Sequence, residues 1–165
     1  MLTLHLVRHA KAEPLAASDI ERELADKGIS DAMRLGTLFT SQIAQPELVL
    51  YSEASRTKQT FELLCETGLQ PDDASAHDRL YHASADEVHQ IITKQQVSSL
   101  MIVGHNPAMA ILLNRLVKEA DLPAGLMHFP TATLATLNFN ETDFAKVTND
   151  SVADLVYLQR GADIS

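Results

Sequence analysis

The stretch Leu2-Thr3-Leu4-His5-Leu6-Val7-Arg8-His9-Ala10 decides the fold: a nearly unbroken run of β-compatible apolar residues stops abruptly at two basic side chains. Leu2 to Val7 reads as a buried first strand, because short apolar runs bounded by polar residues belong to sheets covered on both faces. Arg8-His9 then falls where the chain leaves the sheet. His5, inside the strand, points into the sheet and reads as packing.

Working outward, strand-like and helix-like stretches alternate, which favours a layered α/β fold. From Gly28 to Ala44, Ile29, Ala32, Met33, Gly36, Phe39 and Ile43 follow helical spacing and predict a helix packed on the sheet by these residues. Leu48 to Tyr51 reads as a second strand, followed by a helix from about Ala54 to Cys65 with Phe61, Leu64 and Cys65 inward. Ser84-Ala85-Asp86-Glu87 has the capping-box pattern and starts a third helix. Ser99 to Val103 is apolar enough to be a fully buried strand, and Asn106-Pro107 matches an N-cap followed by proline at the first helical position. Thr131 to Phe139 and Val152 to Leu158 read as later or edge strands.

The chain has 165 residues, 45% hydrophobic and 21% charged, with no Pro/Gly/Ser-rich tract or charge run to mark a linker, so a single domain over residues 1–165 is expected. Thirteen basic against 22 acidic residues leave a net charge of -9, which excludes nucleic acid and anionic membranes as general partners. Any positive site must be local. One cysteine, Cys65, excludes an internal disulfide framework. Met1 to Val7 lacks the basic flank and cleavage site of a secretory leader, and no apolar run approaches the roughly 20 residues that span a bilayer. A cytoplasmic monomer is expected.

Three polar clusters follow the ends of predicted buried strands: Arg8-His9, Ser52 with Arg56, and Gly104-His105-Asn106. In an open α/β sheet the crevice beyond the carboxyl ends of the strands is where ligands bind, so the three can form one site. Two arginines, two histidines and two helix N-termini in an acidic protein suit a phosphoryl group, since guanidinium forks and free N–H groups match its oxygens.

These residues resemble the signatures of the histidine phosphatase (phosphoglycerate mutase-like) superfamily. Arg8-His9-Ala10 is similar to its Arg-His-Gly motif, and Ser52-Glu53-Ala54-Ser55-Arg56-Thr57-Lys58-Gln59-Thr60 to its second signature. Val103-Gly104-His105-Asn106-Pro107 is similar to the segment of its late histidine. Arg8-His9-Ala10-Lys11-Ala12-Glu13 and Gly104-His105-Asn106-Pro107 are most similar to the SixA-type phosphohistidine phosphatases.

The resemblance implies a three-layer α/β/α sandwich with a mostly parallel central sheet. It also implies a phosphatase without metal or cofactor, acting through a phosphohistidine on His9, with Arg8, Arg56 and His105 catalytic and Ser52 and Asn106 binding substrate. Neighbouring arginines should keep His9 neutral, since positive charge disfavours its protonated form. The implied substrate is a phosphorylated histidine-containing protein. Two alternatives are a phosphomonoesterase or mutase for small metabolites and a non-catalytic module that binds phosphorylated partners.

Two departures from the pattern bear on mechanism. Ala10 replaces the usual glycine, and no general acid can be placed, with Asp86, Glu87 and His82 the candidates. Asp86 and Glu87 fit better at the N-terminus of the third helix. His77, His89 and His128 show no metal-ligand spacing. The glycines form neither a Walker loop nor a dinucleotide fingerprint, and Pro71 stands where a cysteine-based phosphatase needs arginine, so Cys65 reads as core.

Overall fold

The computed structural model describes residues 1–165. Ten main elements follow in order: β1 (Leu2–Arg8), α1 (Asp26–Gly36), β2 (Leu48–Ser52), α2 (Ser55–Thr67), β3 (Asp73–His77), α3 (Ala85–Thr93), β4 (Ser99–Gly104), α4 (Ala108–Leu116), β5 (Thr133–Phe139) and β6 (Asp154–Arg160). The strands form one six-stranded sheet in the order β3-β2-β4-β1-β5-β6. β3, β2, β4 and β1 are mutually parallel, whereas β5 runs antiparallel to both β1 and β6.

The pleat divides the core in two. Leu2, Leu4 and Leu6 of β1 face the side covered by Val88, Ile91 and Ile92 of α3 and Leu112, Leu113 and Leu116 of α4. Val7 faces the other side with Ala32 and Leu35 of α1 and Leu64 of α2. Period-two alternation sends successive side chains to opposite faces, so one strand feeds both cores and the architecture is a three-layer α/β/α sandwich. His5 lies at 0% exposure, bonded through Nδ1 to the Thr136 hydroxyl at 2.9 Å and edge-on to Phe39. It packs, as expected.

Two local expectations change, and one strand appears that the sequence did not predict. α1 turns its Gly28, Asp31, Ala32, Leu35 and Gly36 face inward and ends at Gly36, while Ile29 and Met33 stand 38% exposed. Gly28 sets that orientation: a Cβ there would lie 2.1 Å from the Lys11 carbonyl oxygen, an approach open only to glycine. α2 buries Arg56, Thr57, Thr60 and Leu64, with Phe61 and Cys65 only half-buried. β3 has no apolar signature at all; Asp73-Ala74-Ser75-Ala76-His77 is an edge strand held by its ladder to β2.

One anticipated cap is present as expected and the other in altered form. Ser84 and Glu87 make the reciprocal capping box of α3. At α4, Pro107 flanks the first helical residue, and Asn106 acts one position further out, its Oδ1 accepting from the Ala110 N–H at 3.2 Å. No helix is long and apolar enough to cross a membrane.

Candidate active site

β1, β2 and β4 end side by side, with Arg8 in register with Gly104 and Tyr51 with Val103. The residues after these ends therefore meet, in a pocket of about 370 Å³ lined by Arg8, His9, Arg56, His105 and Asn106 together with Lys11, Arg22, Tyr81 and His82. The crevice rule for parallel sheets accounts for its position.

His9 is held by its backbone and its ring together. Its N–H donates to the Gly104 carbonyl at 3.1 Å, and its own carbonyl accepts from Ala132. The ring, 8% exposed, places Nδ1 2.7 Å from the Ala10 carbonyl oxygen. A carbonyl only accepts, so Nδ1 carries the proton and Nε2 keeps its lone pair. Burial is the main reason the His9 pKa lies at about 4; the Ala10 bond opposes it, and Arg56, Arg8 and Arg22 add to it. The arginines expected from the sequence do act in this direction, but burial, which the sequence did not reveal, is the larger cause, because a desolvated imidazolium loses more than the arginine repulsion removes. Ala10 accepts its place without strain: φ is not positive there, and its N–H donates to the Thr60 hydroxyl at 3.0 Å.

The arginines sit close by with unused donors. Arg8 gives Nη1 to the Phe129 carbonyl at 3.3 Å, and Arg56 gives Nη1 and Nη2 to the carbonyl and carboxylate of Asp19 at 2.8 and 3.1 Å. The Nε of each is buried with no acceptor in the protein. Both guanidiniums line the one pocket, and two cations brought together there mark a place for an anion.

His105 lies beside His9, ring centroids 5.2 Å apart, with Tyr81 edge-on at 5.7 Å. Burial first, then His9 and Arg56, bring its pKa to about 3, so it too is neutral near pH 7. Ser52 was expected to touch substrate. It is instead 0% exposed and lies behind His105, with Oγ 2.7 Å from Nε2. Asn106 does line the pocket, yet its side chain is committed to protein: Oδ1 caps α4 and Nδ2 donates to the carbonyls of His128 and Phe129.

Of the three candidate acids, only His82 reaches the pocket. Asp86 pairs with Arg115 at 2.8 Å and Glu87 closes the α3 capping box. The sequence reading missed Asp19, Arg22 and Tyr81. Asp19 accepts from Arg22, Arg56 and the Tyr81 hydroxyl, and these bonds, led by that of Tyr81, hold its carboxyl well below the usual range. These residues lie on segments without periodicity. The Ala12–Leu24 bridge, which pins the ends of the Glu13–Glu23 segment, is a tertiary feature with no local sequence signal. No group of three His, Cys, Asp or Glu side chains converges to hold a metal ion.

No family model matches the chain. It is 33% identical over 141 residues to an uncharacterised protein of Mycobacterium tuberculosis, covering 79% of this chain and 85% of that one. Among solved structures, one from Agrobacterium tumefaciens superposes with a TM-score of 0.74 at 29% identity, covering 96% of this chain and 97% of that one. Another, from Nakamurella multipartitia, gives a TM-score of 0.80 at 26% identity, covering 96% and 95%. Both carry the provisional name phosphohistidine phosphatase SixA. With the three-layer fold and the Arg-His, Ser-Arg and Gly-His segments brought to one pocket, the chain belongs to the histidine phosphatase superfamily. It is a phosphatase, and within that superfamily it resembles the SixA type.

Proposed function

We propose that the protein is a phosphohistidine phosphatase that works through a phosphohistidine on His9. The observation that carries this reading is the state of His9: a buried, neutral ring with its proton tied to the Ala10 carbonyl and Nε2 free, beside two arginine Nε donors that lack an acceptor. Nε2 attacks phosphorus in line, the Nε2–P bond forms, and the bond to the leaving imidazole breaks with its electron pair. Arg8, Arg56 and His105 hold the equatorial oxygens, where positioning and charge supply most of the catalysis. Water then attacks the phosphohistidine, releasing inorganic phosphate and restoring His9.

The proposed substrate class is supported by the lining of the pocket, which holds histidine and tyrosine but no Asp or Glu side chain. An alkoxide leaving group needs a positioned acid, worth about 100- to 10,000-fold, whereas imidazole already protonated on its other nitrogen, or a phenolate, leaves without one. This favours a phosphorylated histidine-containing protein over sugar phosphates. The protein is read as a cytoplasmic, single-domain monomer, in keeping with its lone half-buried thiol. Second-order rate constants for a phosphohistidine protein, an aryl phosphate and a panel of alkyl phosphates test the assignment. The expected order has alkyl phosphates slowest. Fast alkyl ester cleavage that collapses in His82→Ala would make the enzyme a small-metabolite phosphatase.

A further inference from the structure

The two pocket histidines carry their protons differently with respect to the pocket, and a residue outside it decides this for one of them. Ser52 closes β2, and His105 follows the end of the neighbouring parallel strand β4. The Ser52 side chain is fully buried and has two hydrogen-bond partners: the Ala54 N–H at 3.2 Å and His105 Nε2 at 2.7 Å. The Ala54 amide can only donate, so it fills a lone pair on Oγ and cannot take the hydroxyl proton. That proton has one acceptor, Nε2 of His105. A ring nitrogen that accepts is unprotonated, and in a neutral imidazole the proton then resides on Nδ1.

The consequence depends on which atom each ring leaves uncommitted. His9 spends its Nδ1–H on the Ala10 carbonyl and keeps the Nε2 lone pair. His105 spends its Nε2 lone pair on Ser52 and keeps Nδ1–H, which has no protein partner in a ring that lines the same pocket. The same tautomer thus yields a nucleophile from one ring and a donor from the other. We infer that Ser52 is a positioning residue, whose buried hydroxyl holds His105 as the Nδ1–H tautomer so that the ring offers a proton, and not a lone pair, to the phosphoryl oxygens. The reverse tautomer turns a lone pair towards an anion and leaves the serine proton unpaired in a dry site. The use made of the proton rests on the proposed phosphatase reading; the tautomer itself does not.

The test is long-range ¹⁵N–¹H NMR of the labelled, substrate-free protein at neutral pH, with His105 assigned by loss of its signals in His105→Gln. His105 should show a protonated Nδ1 and a bare Nε2. In Ser52→Ala the ring should lose this single-tautomer pattern and kcat should fall about 10- to 100-fold with KM changed far less, since a lost oxyanion donor costs about 100- to 1,000-fold and part of the population keeps the right tautomer. Ser52→Thr, which retains the hydroxyl, should recover both readouts. A wild-type His105 protonated on Nε2 overturns the inference, as does a Ser52→Ala protein with unchanged tautomer or unchanged kcat. Should Ser52→Ala not fold, the wild-type spectrum decides alone. A protein that shows the Nδ1–H tautomer but forms no phosphoenzyme upholds this assignment and removes His9 as the nucleophile.

Discussion

Arg56→Lys separates charge from geometry at the pocket. Arg56 is 7% exposed, spends Nη1 and Nη2 on Asp19 at 2.8 and 3.1 Å, and keeps Nε–H buried without an acceptor. Lysine preserves the positive charge but has one nitrogen on a flexible stem. It cannot hold the Asp19 carbonyl and carboxylate and still present a fixed donor to a phosphoryl oxygen. A hydrogen bond to a charged group is worth about 1.5–3 kcal/mol, and each 1.36 kcal/mol is tenfold in rate, so kcat/KM should fall about 10- to 150-fold. Steady-state kinetics on an aryl phosphate provide the number, with inorganic phosphate as a competitive inhibitor to report ground-state binding. A variant within about twofold of wild type in kcat/KM would show that Arg56 serves as a structural partner of Asp19 and not as a phosphoryl ligand.

Further outcomes follow from burial and close packing. His5 and His9 have pKa values near 4, and His105 near 3, in the fold against an ordinary 6.5, so between these limits the unfolded chain binds more protons and stability rises with pH. That stability is complete above about pH 6.5 and is lost as pH falls towards 4, by about 2 kcal/mol for each ring at pH 5. Denaturant unfolding at pH 7 and pH 5 measures it; His5→Gln should remove about a third of the contribution of these three rings, and equal stability at both pH values refutes the assignment. Gly28→Ala should lower stability by about 1–3 kcal/mol, because a Cβ 2.1 Å from the Lys11 carbonyl oxygen forces backbone apart, which outweighs alanine's helix preference. A thermal midpoint equal to or above wild type would contradict it. Chelators should leave turnover unchanged, since arginine and histidine supply the charge a metal would bring; activity lost in chelator and restored by a divalent ion counts against the mechanism.

How much was legible in the sequence depended on whether the cause was local. Apolar runs at Leu2–Val7 and Ser99–Val103 marked the two central strands, because burial on both faces leaves a continuous signal. β3 left none, since an edge strand is ordered by its ladder to β2 and not by its own side chains. The face of α1 was misjudged because Ile29 and Met33 suggested packing, whereas the approach of Gly28 to Lys11 and of Gly36 to Leu64 rotates the helix inward elsewhere.

The site shows the same division. Arg8, His9, Arg56 and His105 were readable because they sit at strand ends or in the first turn of α2 within recognisable motifs, and the structure brings them to one pocket. Asp19, Arg22 and Tyr81 come from segments joined by long-range bonds, and no spacing rule connects residues 19 and 81. Ser52 was placed in the right neighbourhood, but the sequence could not reveal that its side chain is buried and bonded to His105.

The central claim is that His9 becomes phosphorylated, and it is tested most directly by trapping the enzyme during turnover and locating the phosphoryl group. Rapid denaturation in alkali preserves a phosphohistidine, which mass spectrometry assigns to a residue and ³¹P NMR to a ring nitrogen. The account predicts an acid-labile phosphohistidine on Nε2 of His9, because Nδ1 is committed to the Ala10 carbonyl at 2.7 Å, and no such adduct in a folded His9→Ala protein that still binds phosphate. A phosphoryl group on another residue or on Nδ1, or an adduct that persists in His9→Ala, would contradict it.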